Sequence, residues 1–150
     1  MRLALQVQYA ICGVFDLAYN GQGEPVRMRE IGARQGIPAR YLEQIFQRLR
    51  RAGLVTSKRG PGGGYLLARP AAEITLRHVV EAVEGPLAEA FAGAPGREAR
   101  TPYRPDFLWP ALGHRVADLL EATSFEGLCA EAARASVERA EPPPPPMYFI

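Results

Sequence analysis

The sequence predicts a mainly helical fold with one small β-hairpin. Apolar residues recur at intervals of three and four along most of the chain, as they do on the buried face of an amphipathic helix. Only two short runs resemble strands, and a glycine-rich loop joins them. With 150 residues, 47% of them hydrophobic, the chain can bury a core without metal or disulfide crosslinks. We therefore expect one domain, or one domain with an oligomerisation arm.

The first part of the chain predicts three helices in succession. Residues 5–19 keep a helical apolar spacing and are followed by turn formers. A shorter helix fits residues 27–35, after which Gly36 breaks the pattern. Pro38 suits the first turn of a third helix, because the N–H that proline lacks would have no partner there. The second and third helices thus form a helix, a tight turn and a helix.

The third helix has two different faces. An apolar stripe with helical spacing consists of Leu42, Ile45, Phe46 and Leu49. The other side is polar and carries Arg40, Glu43, Gln44, Gln47, Arg48 and Arg51. One face should therefore pack on the core, and the other should be free to contact a partner.

Two short strands are predicted next, at residues 54–57 and 64–67. The glycines between them suggest a phosphate-binding loop, but no Gly-Lys-Ser/Thr sequence follows and the G-x-G-x-x-G spacing fails at Tyr65. What remains is a hairpin whose tip has two cations, Lys58 and Arg59, and very little side chain. The backbone of such a tip can come close to another molecule, as in the wing of a nucleic-acid-binding module.

The next helix completes a first module, which we place at residues 1–86. Thr75 can cap this fourth helix, and Gly85 with Pro86 should end it. Residues 87–106 are rich in glycine and proline and lack periodicity, so we expect them to form a loop.

Residues 107–140 should contain two further helices. The first is long and carries an apolar stripe, which consists of Leu108, Leu112, Val116, Leu119 and Leu120. It lies too far along the chain to be needed by the first core, so we predict a dimerisation helix. Thr123 and Glu126 have the capping-box spacing and predict the start of the last helix, which should run to about residue 140.

The tail, residues 141–150, contains five consecutive prolines, which predict an extended rod. Its apolar end is either disordered or docked on the same or a partner subunit.

The net charge of +2 is unevenly distributed along the chain. Residues 27–69 carry ten basic side chains and two acidic ones, a net charge of +8, and the remainder is acidic. A segment with this charge favours a polyanionic partner, although a solvated basic face without a ligand would have the same composition. Combined with the helix, turn, helix and hairpin, it predicts a winged helix-turn-helix module that binds double-stranded DNA.

Three stretches of sequence strongly resemble the Rrf2 family of winged-helix transcription regulators. They are Tyr41-Leu42-Glu43-Gln44-Ile45-Phe46, Leu49-Arg50-Arg51-Ala52-Gly53-Leu54-Val55 and Arg59-Gly60-Pro61-Gly62-Gly63-Gly64-Tyr65-Leu66-Leu67. The resemblance implies a homodimer on a dyad-related DNA site, with the third helix in the major groove and the wing in the adjacent minor groove. It also implies a transcription regulator, for which we expect repression by occlusion of the site.

We assign DNA contacts from the residue types and from this resemblance. Arg40, Glu43 and Gln44 are the candidates for base edges, since Arg can pair with guanine, Gln with adenine and Glu with cytosine. The resemblance places Arg59 in the minor groove, where a narrow A·T-rich stretch attracts a guanidinium. Phosphate contacts are expected from Lys58, Arg48 and Arg51. The remaining members of the predicted set are Arg27, Tyr41, Gly60, Gly62 and Gly63.

Cluster-binding members of the family carry three cysteines in the loop equivalent to residues 87–106, where this chain has none. Its cysteines are Cys12 and Cys129, and with His78 and His114 they do not reproduce the family's ligand spacing. We therefore expect no metal site and no cofactor, with an iron-sulfur or thiol-based sensor as the alternative. Cys12 and Cys129 should instead pack as small apolar residues.

Other classes of function find little support in the sequence. There is no Ser/His/Asp or Cys/His grouping, no zinc spacing and no nucleotide loop, so we do not expect an enzyme. No apolar run is long enough to span a membrane, so the cytoplasm is the expected location. A winged-helix module that binds protein remains a distant alternative, because the fold alone does not fix the ligand. The effector is not encoded in any motif that we recognise.

Overall fold

A computed structural model describes residues 2–92 and 101–141 of the chain. Its helices are α1 (Leu5–Asn20), α2 (Met28–Gln35), α3 (Ala39–Arg51), α4 (Leu76–Glu84), α5 (Leu87–Ala92), α6 (Leu108–Glu121) and α7 (Phe125–Arg134). Strands β1 (Val55–Lys58) and β2 (Gly64–Leu67) form an antiparallel hairpin, and one 3-10 turn (Ala71–Glu73) precedes α4. This confirms the predicted fold class, a mainly helical chain with one hairpin.

The core lies where α1, α3 and α4 meet. The predicted stripe of α3 is completely buried: Leu42, Ile45, Phe46 and Leu49 are each at most 1% exposed. Helix α1 contributes Val7, Ala10, Val14 and Leu17 to the same core. Burial of these apolar side chains makes the largest favourable contribution to the free energy of folding of the module.

A buried carboxylate joins α1 to α2. Asp16 is completely buried on α1, and its two oxygens accept hydrogen bonds from Nε and Nη2 of Arg34 at 3.0 and 2.7 Å. Asn20 and Gln35 donate to the same carboxylate at 3.1 and 3.0 Å. Both oxygens of the buried carboxylate therefore have donors, and Arg34 balances the charge of Asp16 within the protein.

The hairpin is attached to the rest of the module along β2, close to the loop that joins the two strands. Val26 and Tyr65 exchange two backbone hydrogen bonds, 2.9 and 2.8 Å long, so the segment before α2 runs beside β2. Gly64 permits this approach, because a Cβ at that position would lie 2.5 Å from the carbonyl oxygen of Val26. The ring of Tyr65 meets that of Phe46 edge to face, with 4.8 Å between centroids. These contacts fix the wing relative to α3.

The structure corrects the expectation that residues 87–106 form a loop, since residues 87–92 form helix α5. The carbonyl of Pro86 accepts from the N–H groups of Glu89 and Ala90, which starts the helix. Leu87 is buried, and Phe91, one helical turn later, packs against Gly113 of α6. Leu87 and Phe91, at i, i+4 spacing, therefore lie on the face of α5 that packs on the rest of the protein. Residues 93–100 of the expected loop lie outside the described residues.

The last helix also differs from its predicted bounds. Ser124, not Thr123, caps α7 by accepting from the N–H of Gly127 at 3.0 Å. The backbone of Thr123 is engaged elsewhere, because its carbonyl accepts from the N–H of Leu76 at 3.0 Å. The helix ends at Arg134 rather than near residue 140, and Ser136 then adopts a positive φ of 59°. Of the predicted tail, residues 142–150 lie outside the described part of the chain.

Candidate nucleic-acid interface

The turn between α2 and α3 fixes the angle at which α3 is presented. Gly36 ends α2 in the left-handed conformation, with φ 67°, which a residue with a side chain rarely adopts. Gly32 allows close packing beneath it, since a Cβ there would lie 2.9 Å from the carbonyl oxygen of Ile37. Pro38 then occupies the N-cap of α3. The helix-turn-helix geometry predicted from the sequence is therefore built from glycine and proline at the expected positions.

The amino-terminal half of α3 presents polar side chains to solvent. Arg40, Glu43 and Gln44 are all exposed. The guanidinium of Arg40 lies 4.9 Å from the centroid of the Tyr41 ring, and that ring is 5.6 Å from Tyr9 of α1. The aromatic pair thus supports Arg40 by a cation–π contact. The structure brings together the three residues that were predicted to read bases.

The tip of the wing is exposed along its whole length. Lys58, Arg59 and Gly60 to Gly62 are solvent-accessible, and Gly60 and Gly62 have positive φ values of 95° and 74°. A hydrogen bond of 2.9 Å from the N–H of Gly63 to the carbonyl of Gly60 closes the turn. Neither Lys58 nor Arg59 has an acidic partner among residues 2–92 and 101–141. Their charge is therefore available to an anion.

Two of the central cations are engaged within the protein. Nη1 of Arg48 donates to the carbonyl of Val83 at 3.0 Å and to Gln6 at 3.3 Å, which ties α3 to the carboxyl end of α4. Arg34 forms an ion pair with Asp16, and the hydrogen bond from the Arg34 guanidinium to that carboxylate raises the pKa of the guanidinium. A phosphate role for Arg48 stays a prediction, and it competes with this intramolecular contact. Arg51 is exposed at the end of α3, and Arg27 is exposed at the N-cap of α2.

Sequence reasoning missed the pair of Asp16 and Arg34. A signal was present, because a carboxylate in the middle of an apolar helix requires a partner when it is buried. The identity of that partner depends on how α2 packs on α1, which no local pattern specifies.

The predicted dimerisation stripe of α6 divides into two parts. Leu120 packs on the hydrophobic core of the chain, and Leu112 and Val116 are half-buried. Leu108 and Leu119 remain exposed, Leu119 to 72%. The neighbouring Phe107 is 79% exposed. An apolar strip of this kind along one helix is typical of a surface that another protein covers.

The cysteines and histidines do not converge on a common site in the part of the chain that the structure describes. No group of three potential metal ligands occurs among those residues. Cys12 and Cys129 are free and half-buried, and burial raises the pKa of both thiols. Nδ1 of His78 accepts the N–H of Thr75, and Nδ1 of His114 lies 2.7 Å from the carbonyl of Pro110. Neutral thiols in apolar surroundings are poor metal ligands and poor nucleophiles.

Comparison with known proteins decides the family. The family model described as "Rrf2: Iron-dependent Transcriptional regulator" matches residues 3–131. The chain belongs to the Rrf2 family.

Individual relatives agree with this assignment. The HTH-type transcriptional regulator IscR of Photorhabdus laumondii is 41% identical over 129 residues, which cover 85% of this chain and 79% of the relative. Among solved structures, T. potens IscR has a TM-score of 0.75 and 27% identity, with 93% of this chain and 94% of the other covered. CymR, the global cysteine regulator of B. subtilis, has a TM-score of 0.70 and 28% identity, with 87% and 98% covered.

Membership of the Rrf2 family identifies the chain as a DNA-binding transcription regulator of the winged helix-turn-helix type. Its relatives are regulators and not enzymes, as the sequence predicted. Across residues 2–92 and 101–141, no helix has both the length and the apolar character needed to cross a membrane.

Proposed function

We propose that this Rrf2 protein acts in the cytoplasm as a homodimer that binds a dyad-related operator and represses transcription by occluding it. The observation that carries the proposal is the geometry of the module, in which the polar face of α3 and the tip of the wing are both exposed and the wing packs on α3 through Tyr65 and Phe46. A helix in the major groove with a hairpin in the adjacent minor groove is a standard way to use such a pair.

Within this interface the exposed residues take different roles. Arg40, Glu43 and Gln44 contact base edges from the amino-terminal half of α3. Glu43 adds specificity rather than affinity, because its negative charge repels phosphates and rejects bases that offer no donor. Arg59 enters the minor groove, and Lys58 with Arg51 contacts phosphates.

The exposed strip of α6 forms the dimer contact in this proposal. Leu108 and Leu119 lose their exposed apolar surface when two copies of α6 pack together, while Leu120 continues to hold α6 to its own core. Two-fold pairing would relate the two α3 helices by the dimer axis, which is the symmetry of a dyad-related operator.

We further propose that the protein works without an iron-sulfur cluster. The family description names iron, but residues 87–106 contain no cysteine, and the two thiols of the chain are half-buried with raised pKa values. Four-ligand thiolate or imidazole coordination has no basis in this set. The alternative is a cluster-dependent sensor. Anaerobic purification followed by absorbance, iron and sulfide measurements separates the two: a colourless, iron-free protein that binds its operator supports our proposal.

Selection of bound sequences from random genomic duplexes tests the DNA-binding proposal directly. We expect the selected sites to share a palindrome whose half-sites are about one helical turn apart. Recovery of sequences with no common motif would contradict a sequence-specific dimer.

A further inference from the structure

A cavity of about 470 Å³ lies behind the wing, on the side away from its tip. Leu17 and Ala18 of α1 form one wall, residues 22–24 of the following loop form a second, and residues 65–71 form a third. Its size falls in the range of small-molecule sites. None of the residues to which we assign DNA contacts lines this cavity, so it is a separate feature of the module.

Two oppositely charged residues line the cavity without pairing. Nε of Arg69 is shielded from solvent and has no hydrogen-bond partner among the described residues. Glu24 is exposed to solvent at the mouth of the same cavity, and no ion pair joins it to Arg69, so their charged atoms are more than 4.0 Å apart. A buried donor without an acceptor is unfavourable, which indicates an acceptor from outside the chain.

We propose that this cavity binds a small zwitterion of the α-amino acid type. The ligand's carboxylate accepts from Arg69, its ammonium group faces Glu24, and its side chain lies against Leu17 and Leu67. A simple anion would satisfy Arg69 but would give Glu24 no partner of opposite charge, and a simple cation would do the reverse. A zwitterion complements both charges, and the apolar wall accommodates the rest of the molecule.

The position of the cavity connects it to the wing. One wall includes Tyr65, whose backbone is paired with Val26, and β2 is paired with β1 along its whole length. A ligand that bridges the loop after α1 and the strand β2 holds the base of the wing in one arrangement. We expect occupancy to tighten operator binding by about 5-fold, at the low end of typical allosteric couplings. This second step rests on the proposed DNA-binding function.

Ligand binding is tested first in the absence of DNA. Thermal denaturation of the full chain is measured with each common L-amino acid, and calorimetric titration follows for those that raise Tm. We expect at least one to bind saturably, and Arg69→Gln and Glu24→Gln each to weaken it about tenfold or more, equivalent to about 1.4 kcal/mol. Arg29→Gln and Glu73→Gln, exposed residues that do not line the cavity, should bind as the unchanged protein does.

Control ligands and variants distinguish an amino acid from other possible ligands of the cavity. Propionate and ethylammonium, which carry one charge each, should not compete with the amino acid. Three results would each overturn the proposal. The first is that no amino acid binds, and the second is that binding of the amino acid survives Arg69→Gln. The third is that propionate binds as tightly as the amino acid while Glu24→Gln has no effect on binding of the amino acid. Circular dichroism establishes that each variant is folded, and Arg69→Lys, which keeps the charge but loses Nε, should also bind more weakly.

Ligand binding without any change in operator affinity would overturn the coupling alone, whereas absence of operator binding would overturn the proposed function and leave the site intact.

Discussion

Replacement of Asp16 by alanine should destabilise the module strongly and should weaken DNA binding as a consequence. The carboxylate accepts four hydrogen bonds, two of them from Arg34, and it is completely buried. Its removal leaves Arg34 without its counter-ion and leaves Asn20 and Gln35 without an acceptor. Because α2 would lose its polar attachment to α1, the support beneath α3 would also weaken.

The expected cost follows from the exposure of the partners. Breaking a fully buried ion pair costs about 3–5 kcal/mol. The Arg34 side chain is 30% exposed and can recover some hydration, so we expect about 3 kcal/mol, at the low end of that range. For a chain of this size the unfolding entropy is about 0.3 kcal/mol per kelvin, which gives a fall in Tm of about 10 °C.

Urea denaturation of the two single variants and of the double variant measures this coupling. Asp16→Ala and Arg34→Ala should not be additive, since each removes the same interaction. Asp118→Ala, a change at an exposed position of α6, serves as the control and should leave stability within about 0.5 kcal/mol of the unchanged protein. A similarly small effect of Asp16→Ala, or strict additivity with Arg34→Ala, would refute the role that we assign to this pair.

Three further predictions concern the interface and the dimer. Arg59→Ala should weaken binding most on operators with A·T-rich flanks, whereas Glu43→Ala should relax base choice with little loss of affinity. Quantitative selection on operator libraries measures both effects. An equal loss of affinity on all sequences would contradict these roles. Leu119→Glu should convert the proposed dimer to a folded monomer in sedimentation equilibrium, because it places a charge on the exposed apolar strip. A dimer that persists in this variant would locate the contact elsewhere. Gly64→Ala should displace the wing from Val26 and lower operator affinity about tenfold or more, and unchanged affinity would show that β2 tolerates a side chain at this position.

The elements that are specified by residues close together in the chain were predictable from the sequence. The stripe of α3 from Leu42 to Leu49, the turn at Gly36 and the strands on either side of Gly60 and Gly62 all depend on residues close together in the chain. Periodicity and turn chemistry act over the same short distance, so the pattern determined the structure there.

The features that sequence reasoning missed depend on contacts between distant segments. Helix α5 is held by the packing of Phe91 on Gly113, and Gly113 lies beyond a stretch rich in glycine and proline. Asp16 meets Arg34 only when α2 packs on α1, and Arg48 meets Val83 only when α4 packs on α3. Arg48 was assigned to phosphate from its charge and position alone, and its contact with the end of α4 requires knowledge of the tertiary arrangement.

The salt dependence of operator binding tests the central claim most directly. In the dimer that we propose, Lys58 and Arg51 of two protomers would make four phosphate contacts, so the logarithm of the affinity should fall with the logarithm of salt concentration with a slope of about −3.6 or steeper. Lys58→Gln should make that slope shallower by about 2, since each dimer loses two contacts. An affinity that does not change with salt would contradict the assignment of this surface to DNA.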